Sequence, residues 1–406
     1  VSGSRDDGDQ LTSPDAVAPP DHRPAANSTR AKRIVGAFTA LVLLIVIALV
    51  VALVDEGGSS WTTVNIRSAP INAIDEVSCA EQGACLAAGP TLQTFVSHGV
   101  DGPWTQASSI PSAGGGRYYL GGIACFAGGC MAATQTKIYV SHPIGAKWSL
   151  LLRTPTQWHL ANPTCTASGS FCLDTASTGE GALPGGREVV IAMTNPLAKL
   201  LPTVALIPRI AVKLETFLPA NVTDFGVSSA SCPTSLVCEG VSGFGVWRTS
   251  NGGASWQRQL GPDSPLLSRG LSTVVCPTIS TCLAGTGNGS FVITNDGGQS
   301  WHTITTPWSL TSIQVQGAIV SGIACISRTN CVATIWEYNS SGHLRDARTA
   351  LIVSTANAGR TWSQQYSQLG GVLNNISCST TLGCFAGGWE AGTRSNTALF
   401  VRAAVK

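Results

Sequence analysis

Residues 276–301 read Cys276-Pro-Thr-Ile-Ser-Thr-Cys282-Leu-Ala-Gly-Thr-Gly-Asn-Gly-Ser-Phe291-Val-Ile-Thr294-Asn-Asp296-Gly-Gly298-Gln-Ser-Trp301. Two cysteines bracket a short turn, an apolar run follows, and a Gly-Gly octet ending in tryptophan closes the stretch. The same order stands upstream as Cys232-Pro-Thr-Ser-Leu-Val-Cys238, then Val246-Trp247-Arg-Thr-Ser-Asn251-Gly-Gly253-Ala-Ser-Trp256. Working outward, all the cysteines fall into close pairs: Cys79 with Cys85, Cys125 with Cys130, Cys165 with Cys172, Cys232 with Cys238, Cys276 with Cys282, Cys325 with Cys331, and Cys378 with Cys384. Self-similarity at roughly 40 to 50 residues marks a radial or solenoid architecture, in which no unit buries its apolar surface alone. Each unit reads as a strand ending in Cys, a tight turn, a second strand opened by Cys, and a third strand.

Paired thiols at such spacing persist as disulfides in an oxidising compartment. Zinc pairs favour shorter spacers and gather four ligands, whereas these pairs lie far apart with few histidines nearby. His98, His142, His159, His302 and His343 are scattered, so no metal site is expected. Charged residues make up 11 % of the chain and the formal net charge is +2. No arginine stripe with interleaved aromatics offers a nucleic-acid surface. Neither a phosphate loop nor a haem motif is present, and no cofactor is expected.

Residues 34–54 form an uncharged apolar run long enough, at 1.5 Å per residue, to cross a hydrocarbon core of about 30 Å. A cleaved signal would have an apolar core of roughly 7 to 15 residues and a small-residue cleavage site. Arg23, Arg30, Lys32 and Arg33 precede the run, while Asp55 and Glu56 follow it. The positive-inside rule therefore predicts a cytoplasmic tail at 1–33, a transmembrane helix at 34–54 and an extracytoplasmic body at 55–406, held in the cell membrane by a single pass. The tail is rich in Pro, Asp, Ser and Arg and predicts disorder.

The octets resemble the Asp-box, or BNR repeat, Ser/Thr-x-Asp-x-Gly-x-Thr/Ser-Trp. The matching positions are Asn251, Gly253 and Trp256; Asp296, Gly298 and Trp301; and Asn357, Gly359 and Trp362. Ser97–Trp104 and Ser141–Trp148 are decayed copies, and the third unit has none. In such a turn Asn or Asp accepts from turn amides, Gly supplies positive φ, the hydroxyl bonds back, and Trp is expected to cover the following strand. The family includes sialidases, sortilin-type receptors and photosystem II assembly factors. The resemblance implies an all-β fold, a seven-bladed β-propeller, here with one N-terminal transmembrane helix. The last unit stops after its third strand, and Glu56–Trp61 looks like half an octet. A strand near 61–66 is thus expected to close the last blade and remove an open sheet edge.

In the family, ligands bind the face opposite the octet turns. The longest loops expected there carry Trp336, Glu337, Tyr338, His343, Arg345, Asp346 and Arg348 in unit six, Trp389, Glu390 and Arg394 in unit seven, and Glu180, Arg187 and Glu188 in unit three. Trp, Tyr and Arg are typical recognition anchors. Residues 200–219, apolar but broken by prolines, read as an outer strand and a long connection, with a partner-binding or membrane-facing ridge as the alternative. Sialidase chemistry would need an arginine triad, a Tyr/Glu pair and an Asp acid, and the family's Arg-Ile-Pro signature is absent. The expected function is a membrane-tethered, non-catalytic receptor or scaffold for a protein or glycan, with a sialidase-like glycoside hydrolase as the alternative.

Overall fold

The computed structural model describes residues 61–404 other than 67–70, 82, 100–101, 112–118, 157, 179–186, 197–211, 218–227, 243–244, 262, 268–269, 305, 307–314, 340–347 and 393–394. The chain divides into two units, Val1–Gly58 and Ser59–Lys406, and every described residue belongs to the second. The expected tail and transmembrane segment, the octet half at Glu56, and Glu180 lie outside the described residues, as does most of 200–219. No helix among the described residues is long and apolar enough to cross a membrane.

The strands form seven four-stranded antiparallel sheets, the blades of a β-propeller. The first strand, β1 (Thr62–Thr63), stands apart from the next in sequence. Blade 1 holds β2 (Glu76–Cys79), β3 (Cys85–Ala88), β4 (Thr94–Ser97) and β5 (Thr105–Gln106); blade 2 holds β6 (Leu120–Phe126), β7 (Gly129–Thr134), β8 (Lys137–Ser141) and β9 (Trp148–Arg153). Blade 3 follows with β10 (Trp158–Cys165), β11 (Phe171–Thr178), β12 (Arg187–Thr194) and β13 (Val212–Phe217), then blade 4 with β14 (Ser229–Ser231), β15 (Cys238–Ser242), β16 (Gly245–Thr249) and β17 (Gln257–Leu260). Blade 5 comprises β18 (Leu271–Val275), β19 (Cys282–Thr286), β20 (Phe291–Thr294) and β21 (His302–Ile304), and blade 6 β22 (Val315–Cys325), β23 (Cys331–Asn339), β24 (Arg348–Thr355) and β25 (Ser363–Leu369). Blade 7 consists of β26 (Gly371–Ser379), β27 (Gly383–Glu390), β28 (Thr397–Ala403) and, as its outermost strand, β1. Thr62 pairs with Arg402 and Thr63 with Val401, and the Val64 N–H donates to Phe400 O at 2.7 Å.

Consecutive inner strands touch all the way round, from β2 through β6, β10, β14, β18 and β22 to β26 and back to β2. Each sheet is apolar on both faces, so the core lies between blades. Phe126, Met131 and Leu160 pack between blades 2 and 3; Leu283, Val320 and Ile335 between blades 5 and 6; Ile74, Phe95, Phe385 and Phe400 between blades 7 and 1. The octet tryptophans join these clusters backwards. Trp362 of blade 6 stacks on Phe291 of blade 5 at 4.1 Å between centroids, Trp301 of blade 5 packs with Val241 and Val246 of blade 4, and Trp256 of blade 4 lies against Phe171 and Leu173 of blade 3. This corrects the expectation that Trp covers the following strand. The outermost strand begins at the blade edge, where the nearest uncovered apolar surface belongs to the preceding blade.

Every expected cysteine pairing is formed. Cys79 is bonded to Cys85, Cys125 to Cys130, Cys165 to Cys172 and Cys232 to Cys238. Cys276 is bonded to Cys282, Cys325 to Cys331 and Cys378 to Cys384. Each disulfide joins the first strand of a blade to the second across its turn, with Cα atoms 3.9–4.1 Å apart. The second cysteines Cys130, Cys172 and Cys384 are buried in the clusters between blades, so each clasp is also part of the packed core. Closing so short a loop contributes about 2 kcal/mol by chain entropy. Serines that precede a first cysteine add a bond between blades. Ser78 Oγ accepts from Cys125 N at 2.8 Å, Ser231 Oγ from Cys276 N at 2.9 Å, and Ser377 Oγ from Cys79 N at 2.9 Å, the last across the seam between blades 7 and 1.

The three full octets share one hydrogen-bond scheme. Thr294 Oγ1 donates to Asp296 Oδ1 at 2.8 Å and accepts from Gly298 N at 2.8 Å, while Ser300 N donates to Asp296 Oδ1 at 2.9 Å. Thr249 with Asn251 and Gly253, and Thr355 with Asn357 and Gly359, repeat it. Bonds from the Ser300 side chain, the Ser300 backbone and Thr294 hold the Asp296 carboxyl down at about 2. That lowered value favours folding above pH 3.8, and the contribution is lost as pH falls through about 2. The turns need left-handed backbone at their third residue from the hydroxyl: Gly252 at φ 66°, Gly297 at φ 71°, but Ala358 at φ 57° in blade 6. A Cβ in that region clashes with its own carbonyl. Ala358→Gly is therefore expected to stabilise the fold by about 1 kcal/mol, read as a raised midpoint in urea unfolding.

Candidate functional site

Because strand direction alternates within a blade, the disulfide turns and the octet turns share one face of the ring. The loops between second and third strands, with the blade-to-blade connections, occupy the other. On that second face Trp336 and Glu337 sit near the end of β23, facing Ala350 and Thr349 of β24. Trp389 and Glu390 end β27 in the adjacent blade, facing Ala398 and Thr397 of β28. All four are half-buried. Glu390 Oε1 accepts from Gln368 Nε2 of blade 6 at 2.8 Å, and the Tyr366 hydroxyl is pushed up by burial and by Glu390. Glu390 thus belongs to a bridge between blades 6 and 7. Burial also raises the Glu337 carboxyl.

His343, Arg345, Asp346 and Arg394 lie outside the described residues. Tyr338, Arg348, Arg187 and Glu188 are placed in β23, β24 and β12 by backbone alone.

A second site, which sequence reading missed, lies on the axis of the ring. A channel of about 240 Å³ is lined by all seven inner strands, and the residue three places before the first cysteine of each pair reaches it: Glu76, Gly122, Asn162, Ser229, Thr273, Gly322 and Asn375. Every one is polar or glycine. The inner strands carry irregular register at this level, between Leu120/Gly122, Ala161/Thr164, Leu271/Thr273, Val320/Gly322 and Leu373/Asn375. Such bulges re-aim side chains and free backbone groups for a neighbour. The neighbour is the next blade. Ser228 Oγ donates to Leu271 O at 3.2 Å, Ser321 Oγ to Leu373 O at 2.6 Å, Ser272 Oγ to Val320 O, and Asn162 Nδ2 to Ser228 O.

Glu76 is the ionisable residue of this lining. Its Oε2 accepts from Asn375 Nδ2 of blade 7 at 2.7 Å, and Asn375 Oδ1 is buried without a partner. Desolvation first, and the neighbouring Asp75 second, push the Glu76 carboxyl up to about 8. The signal that could have revealed this ring was an alignment of the units on their cysteines. In a chain so poor in charge, an Asp75-Glu76 dipeptide opening an inner strand stands out against Gly, Asn, Ser and Thr elsewhere.

No family model and no curated protein matches the chain. Among solved structures, the chain is similar to YCF48 bound to D1 peptide, with a TM-score of 0.54 at 10 % identity over 85 % of this chain and 96 % of that one. YCF48 from Cyanidioschyzon merolae gives a TM-score of 0.51 at 13 % identity, over 85 % of this chain and 98 % of that one. At these identities the likeness is one of fold.

The raised Glu76 carboxyl opposes folding. Unfolded, it ionises near 4.5; folded, near 8; between these values stability falls as pH rises, by at most about 1.4 kcal/mol per pH unit, and is then constant. Glu76→Gln removes that penalty and keeps the shape. Thermal unfolding at a series of pH values should show the variant more stable than the parent at pH 9, with the gap closing towards pH 4.

Proposed function

We propose that this chain is a single-pass, membrane-tethered propeller displayed outside the cytoplasm, which binds a segment of another protein on the face of the second-to-third-strand loops and performs no chemistry there. The observation that carries the binding role is the pair of half-buried tryptophans, Trp336 and Trp389, at corresponding strand ends in adjacent blades. Aromatic side chains with part of their surface in water are typical interface anchors. The propeller of similar fold that carries D1 peptide supports a peptide rather than a small substrate as the occupant. A glycan remains the other ligand class for this face.

Placement outside the cytoplasm is supported by the disulfides, which leave no cysteine free, and by the apolar run at 34–54 with basic residues before it. The hydrogen-bonded octets support kinship with Asp-box propellers, in which the turn is a structural lock. A rigid ring offers a surface whose ordering cost is met at folding, so binding loses less to entropy.

In membranes washed with alkaline carbonate, the full-length chain should stay in the pellet and a chain starting at Asp55 should be released. The detergent-solubilised protein should select ligands from immobilised peptide and glycan libraries. Trp336→Ala with Trp389→Ala is expected to weaken the selected peptide by about tenfold or more with unchanged circular dichroism. Binding indifferent to both substitutions would remove the patch, and turnover of a fluorogenic sialoside would replace this reading with a hydrolase.

A further inference from the structure

The axial channel is independent of the loop face. We propose that it is a binding site for a small primary ammonium compound, with Glu76 as the counter-ion and Asn375 Oδ1 as a hydrogen-bond acceptor.

Charge is the first argument. Glu76 is the one charged residue among the channel-lining side chains, and the facing strands β6 and β26 contain none. Asp75, next to it, adds a second negative group nearby. Once Glu76 ionises, the field in the channel favours a cation.

Hydrogen-bonding capacity is the second. Donors on Asn162, Ser228, Ser272, Ser321 and Asn375 are already committed to protein oxygens. One acceptor of the lining, Asn375 Oδ1, is buried and unpaired. An unpaired buried acceptor is costly, and a ligand with several N–H donors relieves it.

The lining also selects among cations. Calcium takes six to eight oxygens, several from carboxylates, and here a single carboxylate is present. Quaternary ammonium groups are held by aromatic cages, and the lining has no aromatic residue. A channel of about 240 Å³ is larger than a bare ion requires. A primary ammonium, with three N–H donors and one charge, satisfies all three conditions.

Binding is then linked to a proton. The carboxyl near 8 must ionise to pair with the ammonium, while an amine near 10.4 stays charged, so affinity rises as pH climbs through about 8 and then levels off until the amine itself loses its proton.

The test is calorimetric titration of the full chain in detergent with 1,4-diaminobutane, for a free amine, and with Nα-acetyl-lysine amide, for a lysine side chain. Saturable binding of either is expected, on the order of tenfold tighter at pH 8.5 than at pH 6.5. Glu76→Gln should weaken it at least about tenfold while the fold persists, and Asn375→Leu should weaken it less. The relative affinity of the two probes distinguishes a free metabolite from a bound peptide. No saturation by either probe, equal affinity in Glu76→Gln, or stronger binding of tetramethylammonium or calcium chloride would overturn the proposal. Should Glu76→Gln fail to fold, an affinity on the parent chain that does not change from pH 6.5 to 8.5 would do the same. The loop-face reading survives any of these results.

Discussion

Everything in this molecule depends on each sheet having two apolar faces that only neighbouring sheets can cover. A four-stranded blade leaves Leu, Val, Ile and Phe exposed on both sides, and stacking transfers that exposure to the next blade. Radial stacking ends the transfer when the last blade meets the first. The seam between blades 7 and 1 is accordingly rich in contacts: Trp104 lies edge-on to Phe385 and Phe400 at 5.3 and 4.9 Å, Ser377 receives the Cys79 N–H, Asn375 reaches Glu76, and Ser379 and Thr380 donate to Glu81 O. The outer strand of blade 7, taken from the amino-terminal side of the body, joins the two ends of the propeller within one sheet.

Local locks and long-range closure divide the work by face. Disulfides and octets rigidify one face, through loops of a few residues whose geometry depends on nothing distant. The other face carries the second-to-third-strand loops, and the axis carries the polar channel. Glu239 is pushed up to about 7 by burial in spite of Arg248 at 3.1 Å, whose guanidinium also donates to Ile279 O of the next blade. Glu239 Oε1 has no partner, and Asp174 is a second acid of this kind. It is fully buried, its Oδ2 has no partner, and the corresponding position in the other blades is Ala or Gly. Burial raises its carboxyl strongly, against the opposing pull of the Thr175 and Ala161 backbone.

Legibility followed the range of the interaction. Cysteine pairing could be read because partners such as Cys125 and Cys130, or Cys165 and Cys172, lie five to seven residues apart, and the blade number followed from counting the pairs. The octets could be read for the same reason, since hydroxyl, carboxylate or amide, and glycine act within one turn. The direction of Trp362 could not, because the octet says where the side chain begins and not which sheet lies beside it. The channel was hidden differently. Glu76 and Asn375 are 299 residues apart and meet only because the ring closes. Ser377 and Cys79 are equally remote, although the Ser-Cys dipeptides at 78, 231 and 377 were a faint mark of their common duty.

The amino-acid sequence by itself determined the repeat, the cysteine clasps, the seven-fold count and the apolar run ahead of the body, all properties of neighbours along the chain. Only the tertiary structure decided which blade each tryptophan covers, that seven third-from-cysteine residues form one polar wall, and that an acid in the first blade faces an amide in the last. The physical reason is that side chains on an inner strand acquire partners across the axis and across blade seams, where distance in sequence carries no information until the circle is complete.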